Sequence, residues 1–232
     1  MSLLLRLQSC KYLKSTLYDW MVEPVADMWY REVLLLCPMD AFVLDVGVGG
    51  ASSLIANRDI IRSKGLNVTG VVCDAEYART AQDDILKYEL ENQVNIVYSS
   101  ILEYTPPHVA LIYFSGGFTL IPNKVDMIKR CCRMLQGPAA NGSSCTGNAE
   151  DDDSGALVFT PTFEKPTLWG PYVLPLLRRV LKLLTTMDFG EATSEADFLS
   201  LLRQSELRVV SMRTLKDYWF CKHVMVVARP LK

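Results

Sequence analysis

The chain has 232 residues, 24 Lys and Arg against 26 Asp and Glu, and a formal net charge of −2. Half of it is hydrophobic and 22% is charged, which excludes a disordered chain and supports one large domain that needs neither disulfides nor a structural metal. The near-neutral total offers no strong nucleic-acid signal, and no apolar run reaches the roughly 18 residues of a membrane span.

In chain order, residues 3–21 and 25–37 read as two helices broken around Pro24. Arg6, Lys11 and Lys14, with no acid before Asp19, match a weak mitochondrial presequence; the other reading is an amphipathic helix with Leu4, Leu7 and Tyr12 inward. A short strand over 41–46 ends in Gly47-Val48-Gly49-Gly50, and a helix follows over 51–63 with a stop at Lys64-Gly65. Residues 68–73 are the next strand. A helix over 76–91 then carries Ala78, Ala81, Ile85 and Tyr88 on one face. Strands over 94–98 and 109–114 precede a helix opened by Pro122, with Val125, Ile128, Cys132 and Leu135 at helical spacing.

Residues 138–155, rich in Gly, Ser and Asn with an acidic run, read as a mobile insert. The pattern resumes with a strand over 156–160 and a helix over 172–184. A further helix over 194–204 is capped by Ser194 with Asp197 three residues on, and two closing strands run over 208–212 and 223–229. Alternation of this kind specifies an α/β domain with a mainly parallel sheet and helices on both faces, and the successive strands at the end imply an antiparallel finish. The division expected is an N-terminal helical lid or extension over 1–40 and a Rossmann-like domain over 41–232 that carries the insert. Seven cysteines without a C-x-x-C pair fit reduced thiols in an intracellular compartment, and the expected location is cytoplasmic.

The chemistry concentrates at the first strand. A strand running into Gly-x-Gly and then a helix lets backbone approach a ligand where a Cβ would collide. Asp45, two residues before Gly47, is unfavourable beside a pyrophosphate but suits a ligand with an ammonium group. Asp74, at the end of the next strand, can accept hydrogen bonds from ribose hydroxyls.

With Asp45-Val46-Gly47-Val48-Gly49-Gly50-Ala51 as its most specific element, the chain resembles the class I S-adenosylmethionine-dependent methyltransferases from about residue 42 to 229. The resemblance implies a seven-stranded, mainly parallel sheet with an antiparallel last strand, and S-adenosyl-L-methionine as cofactor. It places Asp45, Gly47 and Gly49 at the amino acid part of the cofactor, Asp74 and Ala75 at its ribose, and Ser100 and Ile101 at its adenine. Ser115 falls in the loop under the methionine moiety, and Tyr18 in an aromatic segment that covers the cofactor. Three positions depart from the family pattern: Ala51 replaces the third glycine, Ser100 an acid, and Ala110 the usual acid of the fourth strand. A Rossmann-like binder of nicotinamide or flavin, or a relic without cofactor, is the other reading of the same turn.

No catalytic residue declares itself. The fourth strand carries neither an Asn/Asp-Pro-Pro-Tyr loop nor a Pro-Cys nucleophile, and Cys131 and Cys132 fall mid-helix as packing residues. His108 precedes the fourth strand, away from the cofactor end, whereas His223 and Glu164 fall at that end and are the candidate bases. The polar-aromatic stretch 185–190 is a candidate substrate loop. The expected activity is methyl transfer to a small-molecule or lipid-like acceptor. A non-catalytic partner subunit of the same fold, and a protein or RNA methyltransferase, are the alternatives.

Overall fold

The computed structural model describes residues 26–106, 109–115, 118, 121–135, 155–165, 194–219 and 221–231. The expectations for Tyr18, Trp20, His108, the insert over 138–154, the helix over 172–184 and the stretch 185–190 lie outside them. A helix α1 over 26–36 leads into β1 (Phe42–Val46), α2 (Ser52–Ala56), α3 (Arg58–Lys64), β2 (Asn67–Val72) and α4 (Ala75–Lys87). Then follow β3 (Val94–Tyr98), β4 (Leu111–Phe114), α5 (Lys124–Cys132), β5 (Ala156–Phe159) and β6 (Thr162–Glu164). Helix α6 (Glu195–Gln204) and strands β7 (Leu207–Asp217) and β8 (Cys221–Pro230) close the chain.

The eight strands form one sheet, in which β3, β2, β1, β4 and β5 are neighbours in that order and parallel. Only β8 runs against the rest: it pairs with β5 and then β6 along one edge and with β7 along the other. The expected seven strands become eight because the fifth, after a break at Thr160-Pro161, pairs again as β6. Pro161 has no N–H to give a ladder, and its carbonyl instead accepts the Val224 N–H at 3.1 Å. Strand order reverses between β1 and β4, where open α/β sheets form a ligand crevice at the carboxyl ends of the strands.

Side chains alternate between two cores with period two. Val43, Val68, Leu111, Tyr113, Val158 and Met225 face α1 to α4 on one side. Leu44, Val46, Ile112, Phe114, Leu157, Phe159 and Val226 face α5 and α6 on the other. On this second side Phe114 and Phe159 stack at 4.8 Å, and Phe198 of α6 meets Phe159 edge-on at 5.5 Å.

Helical details depart from the sequence reading where tertiary contacts decide. The helix expected over 51–63 breaks at Asn57, whose side chain donates to Ser53 O (2.9 Å) and to Asp27 O of α1 (3.0 Å). That break ties α1 to the domain. In α5 the buried face is Met127, Ile128 and Cys131, while Cys132 is only half-buried. Tyr88 is not on the inward face of α4; it is the exposed C-cap, with the Arg58 guanidinium over its ring at 5.6 Å. Ser194 caps α6 as expected, accepting the Asp197 N–H at 3.0 Å.

Candidate functional site

At the crevice, β1 delivers Asp45 into the face covered by α1, opposite Gly70 of β2 and Tyr113 of β4. The carboxylate is 1% exposed. It accepts a 2.7 Å hydrogen bond from the Tyr30 hydroxyl of α1 and another from the Ser115 hydroxyl just past β4. Among the described residues it has no cationic partner. Burial pushes its pKa up to about 7, against the pull of the Ser115 and Tyr30 hydroxyls. Burial, with Asp45 alongside, also raises the Tyr30 hydroxyl well above its ordinary value.

The turn after Asp45 takes left-handed backbone at Gly47 (φ 88°), Gly49 (φ 59°) and Ala51 (φ 61°). The Gly47 N–H is held by Val71 O at 2.9 Å, and a Cβ built on Gly49 meets nothing within 4 Å. Open space stands in front of the backbone there. The turn is seated by a residue that sequence reasoning passed over. A Cβ on Gly70 would come within 2.8 Å of Val48 Cγ1, so the bare strand is what lets Val48 lie flat against β2. Glycine inside a strand pattern was the available signal.

At the next strand end, Asp74 is the N-cap of α4. Its Oδ1 accepts the Glu76 and Tyr77 N–H groups at 2.8 and 3.1 Å, with the carboxylate exposed at the crevice rim and Ala75 beside it. After β3, Ser100 turns its hydroxyl inward on the loop, accepting the Leu102 N–H at 3.2 Å, and Ile101 is buried against the second core. Asp45 near the end of β1, Ala75 at the start of α4, and Gly47, Gly49, Asp74, Ser100, Ile101 and Ser115 in the loops thus all gather at the carboxyl ends of β1 to β4.

His223, near the start of β8, lies at the same sheet end because β8 is antiparallel. Its Nδ1 is 2.7 Å from Thr162 Oγ1 of β6. The ring lies 4.9 Å from Trp29 and 5.6 Å, edge-on, from Tyr218. Burial and then the Lys216 charge lower its pKa. Glu164 pairs through its backbone with Cys221 on the same ladder. Cys131 and Cys132 are packing residues, their thiols raised by burial to about 12 and about 11. Among the described residues no group of three His, Cys, Asp or Glu side chains is placed to hold a metal, and no helix is long and apolar enough to cross a membrane. A cavity of about 280 Å³ between α4 and the β3 edge is lined by Gln82, Ile85, Leu86, Glu91, Val94 and Ile96, with Glu91 its one ionisable side chain.

No protein-family model matches the chain, and no curated protein matches it in sequence. Solved structures do match. Geranyl diphosphate C-methyltransferase from Streptomyces coelicolor A3(2), in complex with Mg2+, geranyl diphosphate and S-adenosyl-L-homocysteine, is 13% identical with a TM-score of 0.63, over 90% of this chain and 80% of that one. The mitomycin 7-O-methyltransferase MmcR is 18% identical with a TM-score of 0.61, over 87% of this chain and 54% of that one. The [4+2]-cyclase SpnF is 10% identical with a TM-score of 0.63, over 88% and 82%. The chain has the fold of the class I S-adenosylmethionine-dependent methyltransferases.

Proposed function

We propose that this chain binds S-adenosyl-L-methionine at the Asp45–Ala51 turn and transfers its methyl group to a small or lipid-like acceptor. The observation that carries the reading is Asp45: a buried carboxylate with two hydroxyl donors and, among the described residues, no cation, beside a glycine turn with open space in front of it. A carboxylate so placed is poorly stabilised when ionised, and an arriving ammonium group supplies the missing charge. Asp45, Gly47 and Gly49 would hold the amino acid part of the cofactor, with Ser115 holding Asp45 in place. Asp74 keeps Oδ1 on the helix cap and offers Oδ2 to ribose hydroxyls next to Ala75, while Ser100 and Ile101 flank the adenine. When bound, the cofactor supplies an electrophilic sulfonium methyl. For such a transfer the protein's own work is alignment and exclusion of water, so much of the rate needs no strong base. Both a C- and an O-methyltransferase are among the structural neighbours, which is compatible with either acceptor atom.

Calorimetry with S-adenosylmethionine tests the reading. Binding is expected, and Asp74→Asn, which keeps the cap but turns an N–H2 toward the ribose, is expected to lose about 1–3 kcal/mol of affinity at unchanged melting temperature. A chain that binds neither the cofactor nor S-adenosylhomocysteine is a non-catalytic member of the fold.

A further inference from the structure

We infer that His223 is the general base of this site and that the acceptor it serves is a hydroxyl on a flat aromatic ring; the inference rests on the methyl-transfer reading above. Consecutive residues of α1 join the two places. Tyr30 reaches Asp45 at 2.7 Å, and Trp29 packs its ring 4.9 Å from His223. A second chain of contacts runs alongside. Tyr30 meets Tyr113 edge-on at 5.0 Å, the Tyr113 hydroxyl lies 3.1 Å from Thr160 Oγ1, and Thr162, two residues on, lies 2.7 Å from His223 Nδ1. His223 therefore stands at the same end of the sheet as the glycine turn, where ligands bind, with β4 and β5 between them and α1 reaching both.

The ring is set up for one task. In the acting tautomer Nδ1–H donates to Thr162 Oγ1, which leaves Nε2 with its lone pair; among the described residues Nε2 makes no hydrogen bond. Among the described residues the groups beside the ring are Trp29 of α1, Thr162 of β6, Tyr218, and Lys216 across the β7 ladder. The one fixed charge among them is positive, and together with burial it keeps the imidazole neutral and able to accept a proton. His223 Nε2 takes the hydroxyl proton while the oxygen lone pair forms the new C–O bond and the methyl–sulfur bond breaks onto sulfur. The products are a methyl ether, a neutral thioether and an imidazolium that returns its proton to solvent. A weak base of this kind matches a phenol, with a pKa near ~10, far better than an aliphatic alcohol. The rims of Trp29 and Tyr218 offer the edge and face contacts that a flat ring prefers.

The full chain, labelled with 15N-histidine, is titrated with S-adenosylhomocysteine and then with phenol or cyclohexanol; His223→Gln assigns the signals, since the sequence has two histidines. Phenol, and not cyclohexanol, is expected to shift Nε2 of His223. Thr162→Val is expected to move the 15N pattern toward the Nε2–H tautomer. With S-adenosylmethionine and phenol, anisole formation should fall about 100-fold in His223→Gln at unchanged cofactor affinity. If the cofactor binds but phenol leaves His223 unmoved, or if the wild-type chain makes no more anisole than His223→Gln, the inference is overturned and the proposed function stands. If neither cofactor form binds, the proposed function itself fails and takes this inference with it.

Discussion

Asp45 is a carboxylate held away from water by Tyr30, Tyr113 and Ser115, and its proton affinity follows from that placement. Its folded pKa, about 7, lies above the ordinary carboxylate value of 3.8, so the folded chain binds this proton more tightly than the unfolded one. Stability in the absence of cofactor therefore falls as pH rises from about 4 to about 7, by a total of order 4 kcal/mol at most. Asp45→Asn removes the titration. It is expected to raise the melting temperature at pH 8 more than at pH 5, and to abolish cofactor binding. In the native chain cofactor affinity should rise between pH 5 and pH 7 and then level off, with close to one proton released at pH 6 in calorimetry across two buffers. Affinity that does not change with pH would detach Asp45 from the ammonium group. Ala51 makes a separate point at this scale. It holds left-handed backbone at φ 61° without the glycine that suits it, at about 1–2 kcal/mol. Ala51→Gly repays part of that as extra freedom in the unfolded chain, and a net gain of about 0.5–1 kcal/mol is expected in urea denaturation.

Elements meet at the turn through Gly70. Gly70→Ala forces a methyl into Val48 and into Ile96 Cδ1 at 2.9 Å, an overpacking worth about 1–3 kcal/mol. Because Val48 lies between Gly47 and Gly49, the same substitution is expected to cost cofactor affinity. Gly155→Ala is the control: its Cβ would meet Ala110 O at 2.9 Å at the opposite end of the sheet, so it should cost stability and leave affinity alone. Equal affinity losses in both would mean that general destabilisation is being read. This scale also marks what the sequence could carry. The strands were legible because burial on two faces demands near-continuous runs of Val, Ile and Leu, the glycines because left-handed backbone at Gly47 and Gly49 favours them, and Asp45 because it is an acid inside such a run. Tyr30 was legible only as one aromatic among several on the N-terminal helices; that its hydroxyl reaches Asp45 depends on how α1 lies across the sheet, which the Glu32–Arg213 ion pair to β7 and the Asn57–Asp27 bond help set. Of the face expected on α5, Ile128 and Leu135 are buried, but Met127 and Cys131 join Ile128 on the inward face in place of Val125 and Cys132, because two apolar faces were available and packing against Phe198 of α6 and Phe159 of β5 chose between them. Strand β6 was hidden because three residues after a proline carry no periodicity of their own.

At the scale of the whole molecule, the parallel strands separate the sheet into two ends with different work. Every described residue assigned to the cofactor lies at or just past the carboxyl end of a strand, while Leu135 and Gly155 lie at the amino end. Val109 bridges Leu135, its N–H is held by Met134 O at 3.0 Å, and Ala156 N–H is held by Ala110 O at 3.1 Å. β4 and β5 leave this end together, Leu111 level with Ala156. The fold alone does not fix chemistry, since a [4+2]-cyclase shares it, so the separation of ends is a claim about this chain that needs its own test. Deleting residues 139–153 removes material between Leu135 and Gly155, which both lie at the amino end. Leu135 and Gly155 are close, with the Leu135 side chain 3.1 Å from where a Gly155 Cβ would stand, so the few residues left between them suffice to close the gap. Loop-closure entropy changes slowly with length, so shortening the connection should shift stability by about 1 kcal/mol or less, and upward. Cofactor affinity measured by calorimetry is expected to stay within about twofold of the full chain, a difference of about 0.4 kcal/mol. A tenfold loss would mean that the deleted residues reach around the sheet to the carboxyl ends of the strands, and that the site is built from both ends of the domain.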